Sequence, residues 1–459
     1  MHWLALLCPP AAPDEAQGWS AVPEQVQQTL AWWALQFTPK VALLEDAVVL
    51  EVAACLRLFG GAATLHRRIH REAAESGLRL AAMAWAPNSL AALALARAGQ
   101  RDGLSQALAP LLDALPLHSL SAVQAQAPML ARLGCRTLGD VRRLPRAGLS
   151  RRFGPAALQA LDQAYGQRAE AHVWLQAPAQ FEARLELPFR VEHAPLLLHY
   201  AQHLLRQLCA WLAAHHAGIQ QLSLHWEHDA MRARSAGRGG CLSLHTACTT
   251  RDFGHLSRLL SEHLALQALD APAGEIRLQA GEVLPLQEST ASLLPAAPEQ
   301  AHEPLPQLLE RLSVRLGADR VRCGRLQEDH RLEAMQHWLP WTEAAAASTA
   351  SPAVRAASYP QPTWLLEPPL RLAVRQDQPQ YQQAALQLLA GPQRIEGGWW
   401  QTLDEPSTRT TKAHQGQPET AQMQRDYFLA LSAGHIVLWV FQQRLSDAEH
   451  GWFLHGVFA

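Results

Sequence analysis

The stretch LLEDAVVLEVAACLRLFGG, residues 43–61, has an apolar core with Asp46 before it and Glu51 within it. Short runs rich in valine and leucine between polar residues are typical of a buried strand. Acids at the end of such a strand often hold magnesium for phosphoryl transfer. The stretch therefore raises the question of whether these two carboxylates form a metal site or are the remnant of one.

The first hundred residues around this stretch alternate between strand and helix patterns. Strands are predicted at WLALLC, Val48–Val52 and LRLAAMAW, and helices at Glu24–Leu35, Ala62–Ala74 and Ser89–Ala98. Short apolar strands between amphipathic helices indicate an α/β layer.

The middle of the chain has two patterns. From Leu117 to Gln167, short helices are expected, broken at Gly134, Gly139, Pro145 and Gly154. The segment that follows predicts the order βαββαβ, a compact sheet with two helices on one face. Its strands are FEARLELPFRV, IQQLSLHWEH, GCLSLHTACT and GEIRLQAGEVLPL, and its helices are Pro195–His216 and Phe253–Ala268.

The chain becomes irregular after Leu286, apart from a helix predicted at Leu305–Gly317. A linker rich in alanine, serine and proline follows from Thr342 to Pro362. The last hundred residues are dense in tryptophan and in strand-like runs such as HIVLWVFQQRL, which predict a small β-rich domain.

Bulk composition sets limits on the class of protein. The 459 residues suggest two to four domains, and the net charge is −2, with arginine supplying nearly every positive charge. The seven cysteines are scattered, which excludes a disulfide framework and fits a reducing cytoplasm. Cys241, His245 and Cys248 have no fourth ligand nearby, so no metal is expected there. No apolar run reaches the length of a membrane span.

Several motifs, taken in this order, resemble a known family. AWAPNSLAALALARAG resembles the palm-to-thumb helix of Y-family translesion DNA polymerases, and LARLGCRTLGDV resembles their helix-hairpin-helix thumb. The βαββαβ unit is similar to their little finger. The terminal motifs GPQRIEGGWW, RDYFLAL, LWVFQQR and WFLHGVFA are absent from ordinary Y-family polymerases and resemble the ImuB family, polymerase-like subunits of a bacterial mutagenesis cassette.

The resemblance covers almost the whole chain and implies a multi-domain α/β and α+β fold. The expected parts are a reduced palm lacking fingers at 1–115, a helix-hairpin-helix thumb at 116–170, a little finger at 180–286, a clamp-peptide region and linker at 287–362, and a β-rich partner-binding domain at 363–459.

The same resemblance implies that Asp46 and Glu51 are the remnant of a metal site and do not form an active one. Active palms of this family carry one acid on the first strand and an Asp-Glu pair before the strand that resembles AVVLEV. Here the first strand has no acid before Asp14, and Ala47 follows Asp46 in the place of the glutamate. One carboxylate cannot hold two magnesium ions, so no catalytic residue, metal or cofactor is expected. The alternative is an active polymerase with unusual ligands such as Asp46 and Glu51.

Five arginines of the thumb are candidates for DNA contact: Arg142, Arg143, Arg146, Arg151 and Arg152. Arginine clusters beside such helices commonly contact phosphates. Where the family has a glycine-containing hairpin, this chain has LSAV at Leu120–Val123. Without those glycines the backbone cannot approach a phosphate closely, so weak, non-specific binding is expected. A solvated surface is the alternative.

Partner motifs complete the expectations. Gln287, Leu293 and Leu294, in QESTASLLP, are the candidate peptide for the bacterial sliding clamp. QLSLHW, Gln221–Trp226, matches such peptides better as text but lies within a predicted strand. The resemblance further implies docking of the RecA-like ImuA and of an error-prone replicative-type polymerase, in a cytoplasmic response to DNA damage (SOS). A plain DNA-binding helix-hairpin-helix protein remains a third hypothesis.

Overall fold

The computed structural model describes residues 2–9, 23–229, 237–286, 304–326, 335–341, 361–397, 423–444 and 451–458. Contacts between Cα atoms divide the chain into two compact units, Met1–Gly317 and Ala318–Ala459.

The N-terminal part of the first unit is a four-stranded antiparallel sheet in the order β2-β3-β1-β4 with helices on both faces. The strands are β1 (Trp3–Leu7), β2 (Val41–Leu44), β3 (Ala47–Glu51) and β4 (Ala82–Ala86), and the helices are α1 (Pro23–Ala34), α2 (Ala62–Glu75) and α3 (Ser89–Arg97). The α/β layer predicted from sequence is therefore confirmed.

Both faces of this sheet are covered, which explains why its strands are almost wholly apolar. Trp3 and Ala5 of β1 pack with α3 and with the helices that follow it. Leu4 and Leu6 point to the other face and pack with α1 and α2. The central strand β1 is thus buried from both sides.

Six short helices, α4 to α9, follow and share a hydrophobic core with α3. They are α4 (Leu108–Asp113), α5 (Ser121–Gln124), α6 (Ala127–Arg132), α7 (Leu138–Arg142), α8 (Arg146–Phe153) and α9 (Pro155–Ala164). The expectation that Gly139 breaks a helix is wrong, because Gly139 lies inside α7. A Cβ atom there would be 2.8 Å from the Asp113 carbonyl oxygen, so the glycine allows α7 to pack closely on α4.

The predicted βαββαβ unit is confirmed in its order. It consists of β5 (Glu182–Val191), α10 (Ala194–Ala214), β6 (Ala217–His228), β7 (Gly239–Thr250), α11 (Phe253–Leu266) and β8 (Ala273–Ala280). The last strand is shorter than expected, because the chain turns at Gly281 and a separate short strand, β9 (Val283–Pro285), pairs with the start of β6. Helix α12 (Leu305–Leu316) then packs on α11 and β7.

The second unit begins with a hairpin, β10 (Arg322–Leu326) and β11 (Gln336–Pro340). A seven-stranded sheet follows in the order β14-β13-β12-β18-β17-β16-β15. Its strands are β12 (Trp364–Arg375), β13 (Gln378–Tyr381), β14 (Ala384–Ala385), β15 (Gln387–Gly397), β16 (Met423–Leu431), β17 (Val437–Gln443) and β18 (Trp452–Val457). The β-rich end expected from sequence is confirmed.

Among the described residues, no helix is long and apolar enough to cross a membrane.

Candidate functional site

Glu45 and Asp46 form the two-residue turn between β2 and β3, at one end of the N-terminal sheet. Glu45 has a φ of 52°, the left-handed conformation that tight hairpin turns require. The backbone of Asp46 accepts a hydrogen bond from the Cys8 N–H at 3.1 Å, which ties the turn to the end of β1. Asp46 was predicted from the sequence as part of this site, whereas Glu45 was not.

The guanidinium of Arg97, at the end of α3, lies between these two carboxylates. Its Nη2 donates to Glu45 Oε2 at 2.6 Å and to Asp46 Oδ1, and its Nη1 donates to the Ser121 hydroxyl at 2.9 Å. Burial alone would lower the pKa of Arg97, but the hydrogen bonds to Asp46 and Glu45 outweigh it and raise the pKa. One guanidinium thus supplies a fixed positive charge that the two acids share.

Asp46 and Glu51 lie at opposite ends of β3. In the antiparallel register, Glu51 is opposite Trp3 whereas Ala47 is opposite Leu7. Five residues of extended chain span about 16 Å, so the two carboxylates cannot share an ion. Glu51 instead pairs with Lys40 at 3.1 Å and caps the Ala53 N–H at 3.2 Å.

Cys8 follows β1 and lies beside Asp46 at the edge of this site. Burial and the nearby charge of Asp46 raise the pKa of Cys8 from 9.0 to about 11. A neutral thiol is a poor metal ligand, since metals bind the thiolate. No group of three or more His, Cys, Asp or Glu side chains in the described part of the chain could hold a metal ion.

A cleft of about 560 Å³ lies near the start of α3 and contains a serine, a histidine and a glutamate. The Ser89 hydroxyl is 3.1 Å from His172 Nε2, and Glu170 accepts from the Ser89 hydroxyl at 2.9 Å. Ser89 is fully buried, so a substrate cannot reach it. Because Glu170 also accepts the backbone N–H groups of Ser89 and Leu90, the cluster caps the helix rather than forming a nucleophile and its base.

The five arginines that are candidates for DNA contact fall into two groups. Three are held by acids: Arg142 by Asp113 at 3.2 Å, Arg143 by Asp140 at 3.2 Å and Arg146 by Asp162 at 2.6 Å. Arg142 also stacks on the Tyr165 ring, with its guanidinium carbon 4.4 Å from the ring centre.

The other two, Arg151 and Arg152, are exposed in the last turn of α8. Within the described ranges, neither has a carboxylate within ion-pair distance. Among the five candidates, Arg151 and Arg152 are therefore the two that are fully available for a phosphate.

The structure describes one of the two candidate clamp peptides and not the other. Gln287, Leu293 and Leu294 lie outside the described residues. In the alternative, QLSLHW, the three apolar side chains Leu222, Leu224 and Trp226 are buried in the core of the βαββαβ unit. Those residues build the sheet and cannot reach a partner without unfolding it.

The terminal motifs bring a buried carboxylate and two arginines together on the C-terminal sheet. Asp426, in RDYFLAL, is 1% exposed and accepts from Arg394 and Arg444, each through Nε at 2.8 Å. On the opposite face, the Tyr427 hydroxyl lies 2.8 Å from Nδ1 of His455. These motifs are visible in the sequence, but the roles of Asp426, Arg394 and Arg444 within them were not predicted from it.

Comparison with known proteins gives one extended similarity. No family model matches the chain. Protein ImuB of Caulobacter vibrioides is 28% identical over 450 residues, covering 94% of this chain and 93% of that protein, in strains NA1000 / CB15N and ATCC 19089 / CIP 103742 / CB 15 alike.

Solved structures give matches that cover less of the chain. An insertion ternary complex of Dbh DNA polymerase has a TM-score of 0.29 and 15% identity, covering 57% of this chain and 76% of that chain. A DinB family error-prone DNA polymerase from Sulfolobus solfataricus has a TM-score of 0.29 and 15% identity, covering 58% and 79%. Because the sequence similarity to Protein ImuB extends over nearly the whole of both chains, the chain is a relative of Protein ImuB.

Proposed function

We propose that the protein is a non-catalytic, polymerase-like adaptor in DNA damage tolerance. In this role it brings a separate error-prone polymerase to damaged DNA during translesion synthesis and induced mutagenesis in the cytoplasm. The parts would be a palm without fingers at 1–115, a thumb at 116–170, a little finger at 180–286, a clamp-peptide region at 287–362 and a partner-binding domain at 363–459.

The main support is the contact of Arg97 with both Glu45 and Asp46. Two-metal phosphoryl transfer needs several carboxylates that converge on two cations about 4 Å apart. Here the only acids at the turn already share one guanidinium, and Cys8 stands beside Asp46 as a neutral thiol. Binding magnesium would require breaking this ion pair without supplying the missing ligands.

Primer extension tests the proposal directly. Purified protein with magnesium, primed template and nucleotides is expected to leave the primer unextended. Ala47→Glu should not restore activity, because it adds one acid and neither a first-strand acid nor the fingers. Extension by the parent protein that disappears in Asp46→Ala would instead identify an active polymerase with atypical ligands.

The partner contacts of the adaptor are assigned to separate parts of the chain. Gln287, Leu293 and Leu294 are proposed to bind the β sliding clamp, since the competing peptide at Gln221 is committed to the core. Residues 363–459 are proposed to bind the RecA-like ImuA and the error-prone replicative-type polymerase subunit.

Reciprocal variants test this separation. Replacing Gln287, Leu293 and Leu294 by alanine should abolish clamp binding and spare the RecA-like partner, and deleting 363–459 should do the reverse. Both changes should abolish damage-induced mutagenesis in cells, whereas Asp46→Ala should leave it unchanged. Retention of both partners by both variants would refute the adaptor function.

A further inference from the structure

Helix α12 is amphipathic, but its apolar side faces away from the domain on which it packs. Five leucines share one face of the helix at helical spacing: Leu305, Leu308, Leu309, Leu312 and Leu316. Leu305, Leu308 and Leu316 are 63%, 38% and 51% exposed. A helix that only completed a core would direct these side chains inward.

The side of α12 that faces the βαββαβ unit is largely polar. Glu310 is buried, with Oε1 accepting the Ala247 N–H at 2.6 Å and Oε2 2.9 Å from His255 Nε2. Ser313 is buried too, and Val314 supplies an apolar contact. These specific contacts fix the rotation of the helix and hold the leucines in solvent.

The exposed leucines are bordered along one side by basic residues. Arg315 lies next to Leu316 and forms a two-point contact with Glu262 of α11, with Nε at 2.8 Å. Arg311 shares the same glutamate at 3.8 Å, and Arg258 donates to Gln307 at 3.2 Å. Two arginines share this one glutamate and Arg258 contacts a neutral glutamine, so the border is positive. The leucines and these three arginines together are called the α12 surface.

Helix α11 lies beside α12, since Arg258 contacts Gln307 and Glu262 contacts Arg315. Leu266, at the end of α11, is also exposed, at 68%.

We propose that the α12 surface is a docking site for an acidic amphipathic helix of a protein partner. An apolar strip at i, i+3, i+4 and i+7 is what one helix offers another, and anchoring side chains in that register carry such contacts. The positive border selects an acidic partner, because opposite charges around an apolar strip favour the right partner and like charges reject the wrong one. The residues of this surface are not among those proposed above to bind the clamp, the RecA-like partner or the polymerase.

The test uses the full chain and two synthetic amphipathic peptides. Both have leucine along one face, and the remaining positions are glutamate in one peptide and lysine in the other. Fluorescence anisotropy should show that the parent protein binds the glutamate peptide and not the lysine peptide. Leu305→Gln, Leu308→Gln and Leu316→Gln together should weaken that binding roughly tenfold or more, since a few central side chains dominate such contacts.

A matched control changes three exposed apolar residues elsewhere, Leu58→Gln, Met129→Gln and Val173→Gln, and should bind as the parent does. Arg315→Glu provides an independent variant that keeps the leucines and should shift preference towards the lysine peptide. Failure of the parent to bind the glutamate peptide, or equal binding of both peptides, would overturn the proposal.

Sedimentation tests whether a second copy of this chain, rather than a different protein, binds the α12 surface. If the parent forms dimers that the triple glutamine variant loses, the α12 surface binds a second copy of this chain and the proposal of an acidic partner is wrong. None of these results alters the primer-extension test, so the two proposals fail separately.

Discussion

Asp426 Oδ1 accepts a hydrogen bond from Nε of Arg394 at 2.8 Å in the C-terminal sheet. Arg394 is on β15 and Asp426 on β16, and Arg444, just after β17, approaches the other carboxylate oxygen at 2.8 Å. The hydrogen bond from Arg394 outweighs the effect of burial and lowers the pKa of Asp426. One buried carboxylate thus joins three consecutive segments that belong to three of the terminal motifs.

Asp426→Ala is expected to destabilise the C-terminal unit by about 2–3 kcal/mol. Removing one partner of a buried ion pair usually costs more than this, but both arginines are about half exposed and regain water. Chemical denaturation followed by tryptophan fluorescence measures the change, because Trp439 lies in the same sheet. Glu396→Ala, a neighbouring exposed acid on β15, is the matched control and should have little effect; equal losses in both variants would contradict the role given to Asp426.

Arg97→Met is expected to destabilise the N-terminal unit by about 1–3 kcal/mol, because Glu45 and Asp46 lose the one cation that they share. The partial exposure of both acids limits the cost. Adding Glu45→Gln and Asp46→Asn should recover part of the loss, and a thermodynamic cycle of the variants measures the coupling. Strictly additive effects would show that the three side chains do not act together.

Glu170 predicts a defined pH dependence of stability. Burial raises the pKa of Glu170, but hydrogen bonds from His172, Ser89 and Leu90 outweigh that effect and hold the pKa below its ordinary value. A depressed folded-state pKa gives stability that is fully present above the unfolded value of about 4.3 and is lost as pH falls through the folded value.

Glu170→Gln should therefore lower the free energy of unfolding most near neutral pH. The difference in unfolding free energy between the parent and this variant should become smaller below about pH 4.3. Glu75→Gln, an exposed acid on α2, controls for general charge effects. A gap that stays constant through acid pH would show that ionised Glu170 does not stabilise the fold.

The thumb arginines predict a division of roles in DNA binding. Arg151→Ala with Arg152→Ala should flatten the dependence of log K on log salt for single-stranded DNA by roughly 1–1.5, since each phosphate contact contributes about 0.7. The fold should be unchanged, because both side chains are exposed.

Arg142→Ala is the contrasting variant, because it removes the pair with Asp113 and the stacking on Tyr165. This variant should lower the free energy of unfolding, and it should change the slope of log K against log salt less than the double variant does. If the double variant binds DNA like the parent, Arg151 and Arg152 are only a solvated surface.

Periodicity predicted most of the order of strands and helices but missed the short strands β2 and β9, and close packing and long-range pairing were not predictable from it. Gly139 looked like a helix breaker because sequence alone does not show that α4 passes within contact distance. Gly281 ended a strand for a similar reason, since a Cβ atom there would lie 2.7 Å from the carbonyl oxygen of Gln221.

The site was predictable only in part. Asp46 and Ala47 followed from the family resemblance, whereas the contact between Glu45 and Arg97 joins residues far apart in the chain. One signal was available: Arg97 is the only charged residue in the otherwise apolar helix α3. A lone charge in such a helix usually has a specific partner.

The strand β18 lies between β12 and β17, in the middle of the C-terminal sheet, although it is the last strand of the chain that the structure describes. Until residues 452–457 are synthesised, β12 and β17 cannot be joined, and the sheet remains as two separate three-stranded parts. The pairing of β12 with β18, which are far apart in the sequence, is also slow to form. During translation, the sheet of the C-terminal unit should therefore be completed only after Trp452–Val457 are synthesised, and ribosome-bound chains that stop before Trp452 should lack any surface that depends on the complete sheet.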